Sequence, residues 1–223
     1  MSVQHRFSVD LVKAAGAFMV VVLHVSASGF YQFDENWLAY NFYDSMVRVA
    51  VPLFLMVTGV LLLDRQQTLA EFFGRRATRI LPPLVFWSLI YTLVREGERF
   101  DAASFFSRLF VGPAEYHLWY LYALLGIYAS VPFLRVFYIH SSASERSFFL
   151  LVWALINCLW PTFVTLAGVQ HDLIGTYALH SFLGFSAYLL LGATLGTVAI
   201  ERFRFVGLIV FLASGLGIAM LTY

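Results

Sequence analysis

Long uncharged apolar runs alternate with short segments that hold most of the charge, and this pattern divides the chain before any motif is considered. Residues 14–28 follow Lys13, 49–63 follow Arg48 and 80–94 follow Arg79; runs at 118–134, 147–169, 173–200 and 205–223 complete the set. A helix needs about 20 residues to cross the hydrocarbon core. The second and third runs are short, so their flanking arginines must snorkel along the helix ends. None of the runs alternates over the roughly ten-residue segments of a membrane β-barrel. The pattern predicts an all-α polytopic membrane protein with about seven transmembrane helices in a single membrane-embedded domain, residues 1–223. Residues 101–111 (DAASFFSRLFV) read as a short amphipathic helix lying on the outer surface. Residues 30–43, with Phe30, Tyr31, Phe33, Trp37, Tyr40, Phe42 and Tyr43, read as an outer interfacial belt.

Composition strengthens this reading. Hydrophobic residues are 61% of the 223 and charged residues 12%, against roughly 45–50% and 25% in ordinary globular chains. A soluble domain of this size has too much surface to hide that much apolar area. With 23 Phe, 12 Tyr and a net charge of only +1, neither disorder nor nucleic-acid binding fits. Cys158 is the single cysteine, which excludes an internal disulfide and any cysteine-based zinc site. No metal site is expected. The first run is too long for a signal peptide and has no small-residue cleavage site, since Phe30, Tyr31 and Phe33 follow it.

Charge sets the orientation. With the N-terminus in the cytoplasm, Arg6, Lys13, Arg65, Arg75, Arg76, Arg79, Arg135, Arg146, Arg202 and Arg204 fall inside. Only Arg48, Arg95, Arg99 and Arg108 fall outside, as the positive-inside rule requires. The last run ends at Tyr223 without a polar flank; the expectation is a truncated chain whose further helices are missing.

Ionisable groups inside membrane helices are functional candidates by default. Lys13 and His24 lie eleven residues apart in the first run, which returns to within about 20° of the same helix face, roughly 16 Å further along the axis. Ala14, Ala17, Val20 and Val21 lie between them on that face and leave room for a neighbouring helix or a ligand. A neutral imidazole there can accept a proton as a general base; the plain alternative is an interhelical hydrogen bond.

A second cluster, Arg75-Arg76-Ala77-Thr78-Arg79, directly precedes Ile80-Leu81-Pro82-Pro83. Prolines fit the first turn of a helix, and three guanidiniums at a helix N-terminus form a phosphate site. Topology or anionic lipid contact accounts for the same residues more simply. Arg48 sits outside against the charge bias, at the outer end of the second run, with Pro52 kinking or starting the helix. His117 and Trp119, in Glu-Tyr-His-Leu-Trp-Tyr, open the fourth run on the same side. Asn157 reads as an interhelical hydrogen-bonder, Gly192 and Gly196 (GATLG) and Gly215 and Gly217 as helix packing, and Cys158 as a small packing residue. His171, Asp172 and His180 have no metal-site spacing.

Four motifs occur in order: Val9-Asp10-Leu11 with Lys13 and His24; Arg48-Val-Ala-Val-Pro52-Leu-Phe54-Leu-Met-Val-Thr-Gly59; Arg76-Ala-Thr-Arg79; and His117-Leu-Trp119-Tyr. Together they resemble the membrane-bound acyltransferase family 3, and within it the enterobacterial-common-antigen-type O-acetyltransferases. The resemblance implies transfer of an acyl group, usually acetyl, from cytoplasmic acyl-CoA to a hydroxyl of an extracytoplasmic glycan or lipid-linked saccharide, in the bacterial inner membrane. Acetyl-CoA is then a co-substrate and no bound cofactor is expected. His24 takes the place of the family's catalytic histidine. Lys13 takes the place of its arginine, retaining the charge but losing the bidentate fork. Arg76 and Arg79, with Arg75 beside them, handle the donor; Arg48, His117 and Trp119 are acceptor or oxyanion candidates; Asp10 supports the first helix. The rival readings are a proton-coupled transporter or flippase, without the internal repeats such proteins often show, and a non-catalytic truncated family member.

Overall fold

The computed structural model describes residues 3–30, 32–33, 35–168, 184–197 and 204–222, with side chains from Ser8 onward and without that of Arg204. Among them every regular element is helical: α1 (Val3–Phe30), α2 (Trp37–Val47), α3 (Ala50–Leu62), α4 (Leu69–Glu96), α5 (Ala102–Val111), α6 (Trp119–His140), α7 (Ala143–Ala154), α8 (Trp160–Ala167), α9 (Ala187–Leu195) and α10 (Arg204–Leu221). Single 3₁₀ turns precede α6 and α9, and a π-helical turn, Leu155–Leu159, joins α7 to α8. Five stretches are long and apolar enough to cross a membrane: Ser8–Phe30, Trp37–Leu62, Leu69–Arg99, Tyr116–His140 and Ala143–Ala167. This is a polytopic helical membrane protein.

Several boundaries differ from the sequence reading, each for an identifiable reason. Half of the aromatic segment read as an outer belt, residues 37–43, lies in α2, which runs on into α3 across a two-residue turn at Arg48 and Val49. Pro52 lies in the first turn of α3, where its missing N–H costs little. Arg48 therefore lies near the middle of the Trp37–Leu62 span rather than at its outer end. Similarly, α4 starts two turns before the arginine cluster. Thr68 and Glu71 form a capping box, with Thr68 Oγ1 accepting from the Glu71 amide at 3.3 Å, and this reciprocal cap launches the helix at Leu69. Arg75–Arg79 are thus interior residues, and the helix-terminus argument for phosphate does not apply. Pro82 and Pro83 lie deep inside the same helix, where they deprive the carbonyls of Thr78 and Arg79 of their amide donors. Half of the sixth run, 173–183 and 198–200, lies outside the described residues, as do His171, Asp172 and His180.

The chain divides into two compact units, 1–64 with 137–223, and 65–136. In the first, α1 packs on α2 and α3, α3 on α9, and α10 on α2. Its core holds Leu55, Leu63, Leu189 and Leu190, all fully buried. The α3–α9 crossing depends on glycine. A Cβ on Gly59 would fall on the backbone of Leu189, and one on Gly192 on the backbone of Met56, so the two main chains touch as small-residue membrane interfaces do. GATLG is a packing motif, as its spacing indicated. Asn41, buried in α2, donates to the Ala219 carbonyl at 2.8 Å and accepts from Thr222 at 2.6 Å, tying α10 down. Asn157 instead donates to Trp153 in its own helix at 3.2 Å, a local bond rather than the expected interhelical one.

In the second unit, α5 leans on α4 and Tyr122 of α6 donates to the Leu109 carbonyl at 2.8 Å. Asp101 caps α5 by accepting from the Ser104 amide at 2.7 Å, and hydrogen bonds from the Ser104 side chain and backbone hold its carboxyl below its ordinary value. One face of α5 buries Phe105 while Phe106, Phe110 and Val111 point outward, the amphipathic division the sequence predicted.

Candidate functional site

In the first unit, the unbroken α1 carries Lys13 and His24. Val9, Gly16, Ser26 and Gly29 form its packed side, with Gly16 against the Phe54 ring and Gly29 against Tyr40. Lys13 is half-buried and His24 exposed, and at 100° per residue both fall along one border of the packed side. Ala14, Ala17 and Val21 beside them are exposed, so no described helix fills the small-residue strip. Lys13 pairs with Asp10 at 3.5 Å across one turn, and Asp10 is mostly exposed. Only 11% of this span is buried inside the fold, which leaves a long open face.

The same unit supplies a partner for Arg48. Its Nε and an Nη nitrogen both donate to one oxygen of Asp44, each at 2.6 Å, and its guanidinium lies 5.6 Å from the centre of the Phe30 ring. Asp44 is 6% exposed and Arg48 45%. The ion pair is therefore asymmetric: a sunken carboxylate anchors an arginine that is nearly half exposed. Phe30 is six residues beyond His24, about 9 Å along the helix, and its carbonyl accepts from the Trp37 indole at 2.8 Å. Asp44 is a residue the sequence reading missed, although the i,i+4 spacing to Arg48 was a signal available for it.

In the second unit the arginine cluster divides. Arg75 and Arg79 are exposed, and Arg75 has a distant carboxylate, Glu71, at 4.0 Å. Arg76 turns inward, 8% exposed, with its guanidinium 4.8 Å from the Phe72 ring centre and 5.9 Å from that of Tyr128. Arg135, from α6, is equally buried and lies 5.4 Å from the same Phe72 ring. The sequence places it only among the inner positive charges. His117 and Trp119 flank the start of α6: His117 meets Tyr91 edge-on at 5.1 Å, and Trp119 meets Tyr120 at 6.0 Å.

A cavity of about 240 Å³ lies under α5, lined by Ser88, Thr92, Arg95, Phe105, Arg108 and Gly112 among others. Its charges are matched internally: Arg95 has Glu115 at 3.8 Å and Arg108 pairs with Glu96. The contrast with Arg76 and Arg135 is sharp. Among the described residues neither has an ion pair with a carboxylate.

The first unit thus carries a lysine and a histidine along one helix border, and the second carries two buried arginines. The acyltransferase domain of acyltransferase family 3 matches residues 6–223, and the chain belongs to that family. No curated protein and no solved structure matches the chain.

Proposed function

We propose that this acyltransferase moves an acyl group, acetyl by preference, from cytoplasmic acyl-CoA to a hydroxyl of an extracytoplasmic glycan or lipid-linked saccharide, in a bacterial inner membrane. The observation that carries the reading is the placing of Lys13 and His24 on one border of α1, beside an open small-residue strip in a chain of this family. A strip of that kind accepts a flexible thioester arm, because alanine side chains leave the helix surface low.

His24 is the general base. Its neutral imidazole takes the proton of the acceptor hydroxyl as that oxygen bonds to the thioester carbonyl. The tetrahedral intermediate collapses, the carbon–sulfur bond breaks, and the imidazolium returns its proton to the departing thiolate. Ester and free thiol are the products. Lys13 attracts the anionic donor as a point charge rather than a fork, held by Asp10 at 3.5 Å. Arg75, Arg76 and Arg79 bind donor phosphate. Arg48, fixed from behind by Asp44, presents its free half to the oxyanion or the acceptor; His117 and Trp119 offer an aromatic and hydrogen-bonding platform for a sugar.

Inverted membrane vesicles given labelled acetyl-CoA test the reading through label recovered on glycan. His24→Ala is expected to lower transfer by at least about 100-fold, the usual contribution of a general base. Transfer unchanged in His24→Ala would remove the assigned base, and absence of acetyl-CoA-dependent label with the unaltered protein would remove the donor and acceptor assignment.

A further inference from the structure

A guanidinium withdrawn from solvent needs a counter-charge or a full set of hydrogen bonds, since an uncompensated buried charge costs several kcal/mol. Arg135 has neither. It is 8% exposed, its one hydrogen bond is a long 3.4 Å contact from an Nη nitrogen to the Gln67 carbonyl, and its Nε and second Nη have no partner. The Gln67 side-chain nitrogen and oxygen beside it are buried and unpartnered too. Phe72 gives each of the two arginines a ring face or edge, but a ring quadrupole is not a counter-charge and leaves the guanidinium donors without acceptors. The two ring contacts also draw two like charges to within about 10 Å of each other. The charged neighbours of Arg76 add to the excess, being Arg65, Arg75 and Arg79. Few backbone contacts join α4 and α6; the two helices meet through the side chains of Phe72, Arg76, Tyr128 and Arg135.

We propose that Arg135, with Gln67, completes a phosphate cradle with Arg76 around Phe72, and that it takes a phosphate of the acyl donor. Two guanidiniums match a dianionic phosphate in charge and in fork geometry, and the unpartnered Gln67 amide has a donor for a phosphate oxygen. The donor assignment rests on the acyl-CoA reading above, whereas the phosphate chemistry stands on the geometry alone. The shared chemistry also belongs to an anionic lipid headgroup, and the test separates the two.

The whole chain in nanodiscs of zwitterionic lipid provides the assay, read as the thermal unfolding midpoint and as affinity for CoA, inorganic pyrophosphate and pantetheine. CoA and pyrophosphate are expected to raise the midpoint and pantetheine to leave it unchanged. Arg135→Met is expected to raise the ligand-free midpoint, because it removes an unmatched buried charge, and to weaken CoA and pyrophosphate about 10- to 100-fold. A structural arginine would behave the opposite way. A lower ligand-free midpoint with unchanged CoA affinity in Arg135→Met overturns the proposal. Should that variant not fold, Arg135→Lys is expected to keep the ligand-free midpoint near that of the unaltered protein and weaken pyrophosphate at least fivefold; unaltered pyrophosphate affinity overturns the proposal. Pyrophosphate binding that depends on Arg135 without any CoA binding leaves the cradle standing and defeats the acyl-CoA reading. In parallel nanodiscs that contain anionic lipid, a higher midpoint together with no response to CoA or pyrophosphate in the zwitterionic ones assigns the arginines to a headgroup and overturns the cradle.

Discussion

The Asp44–Arg48 pair gives a test of whether the middle of the Trp37–Leu62 span faces an aqueous site or lipid. Its partners are unequally exposed, at 6% and 45%, so removing one is not equivalent to removing the other. At an effective dielectric near 20, opposite charges about 4 Å apart attract by about 4 kcal/mol. In Arg48→Gln that attraction is lost and a sunken carboxylate is left without a counter-charge, at a cost of about 3 kcal/mol. In Asp44→Asn the arginine is already half outside the protein. If the medium there is water, it hydrates and the cost falls to about 1 kcal/mol. The double variant is expected to be less damaging than the sum of the single ones by about 1–2 kcal/mol, as contacting charges are. A double-mutant cycle on detergent-solubilised or nanodisc-embedded protein, read by reversible chemical unfolding, supplies the numbers. If Arg48 faces hydrocarbon, Asp44→Asn strands a bare guanidinium there and costs as much as Arg48→Gln. Equal or reversed costs would refute the view of Arg48 as a residue presented to ligand.

Three further outcomes follow from the packing and the caps. Gly59→Ala is expected to destabilise by about 2–3 kcal/mol, since its Cβ would displace the Leu189 backbone, while Gly74→Ala, with open space around it, is neutral or stabilising by up to about 1 kcal/mol; unfolding midpoints of the two variants check the contrast. Asn41→Leu is expected to cost about 1–2 kcal/mol and to speed hydrogen exchange at the C-terminal end of α10, where Ala219 and Thr222 lose their partner. Because Asp101 is held below its ordinary carboxylate value by Ser104, its contribution to α5 is present above the unfolded-state value and is lost as pH falls through the folded one; exchange protection of α5 is expected to hold in mild acid and to drop only below about pH 4, and Asp101→Asn to flatten that dependence.

Fold class was legible because membrane helices must satisfy their backbones internally and show this as apolar length. Boundaries were less so, and the reasons are local. The Thr68–Glu71 capping box is a sequence signature that marks the start of α4; the eye follows charge instead, and the arginines hid it. The aromatic residues of α2 resemble an interfacial belt because Trp, Tyr and Phe serve both there and in packing. Among the candidate residues, the common border of Lys13 and His24 was readable from helical period alone. The inward turn of Arg76 and the burial of Arg135 were not, because each depends on a contact with Phe72 across or along the unit that no local spacing encodes.

The glycine crossing of α3 and α9 has a consequence in time. Gly59 and Leu189 meet across about 130 residues of chain, and residues 65–136 form a unit of their own between the two halves of the first. At a synthesis rate of roughly 5–20 residues per second, the groove of α3 waits from several seconds to nearly half a minute for α9 to emerge. The inserted unit is itself made within that interval, and is complete and free to fold while the remaining stretch up to Leu189 is added. The first segments to enter the membrane are thus among the last to be closed, and their bare glycine surface is the stretch most in need of shelter while the ribosome finishes.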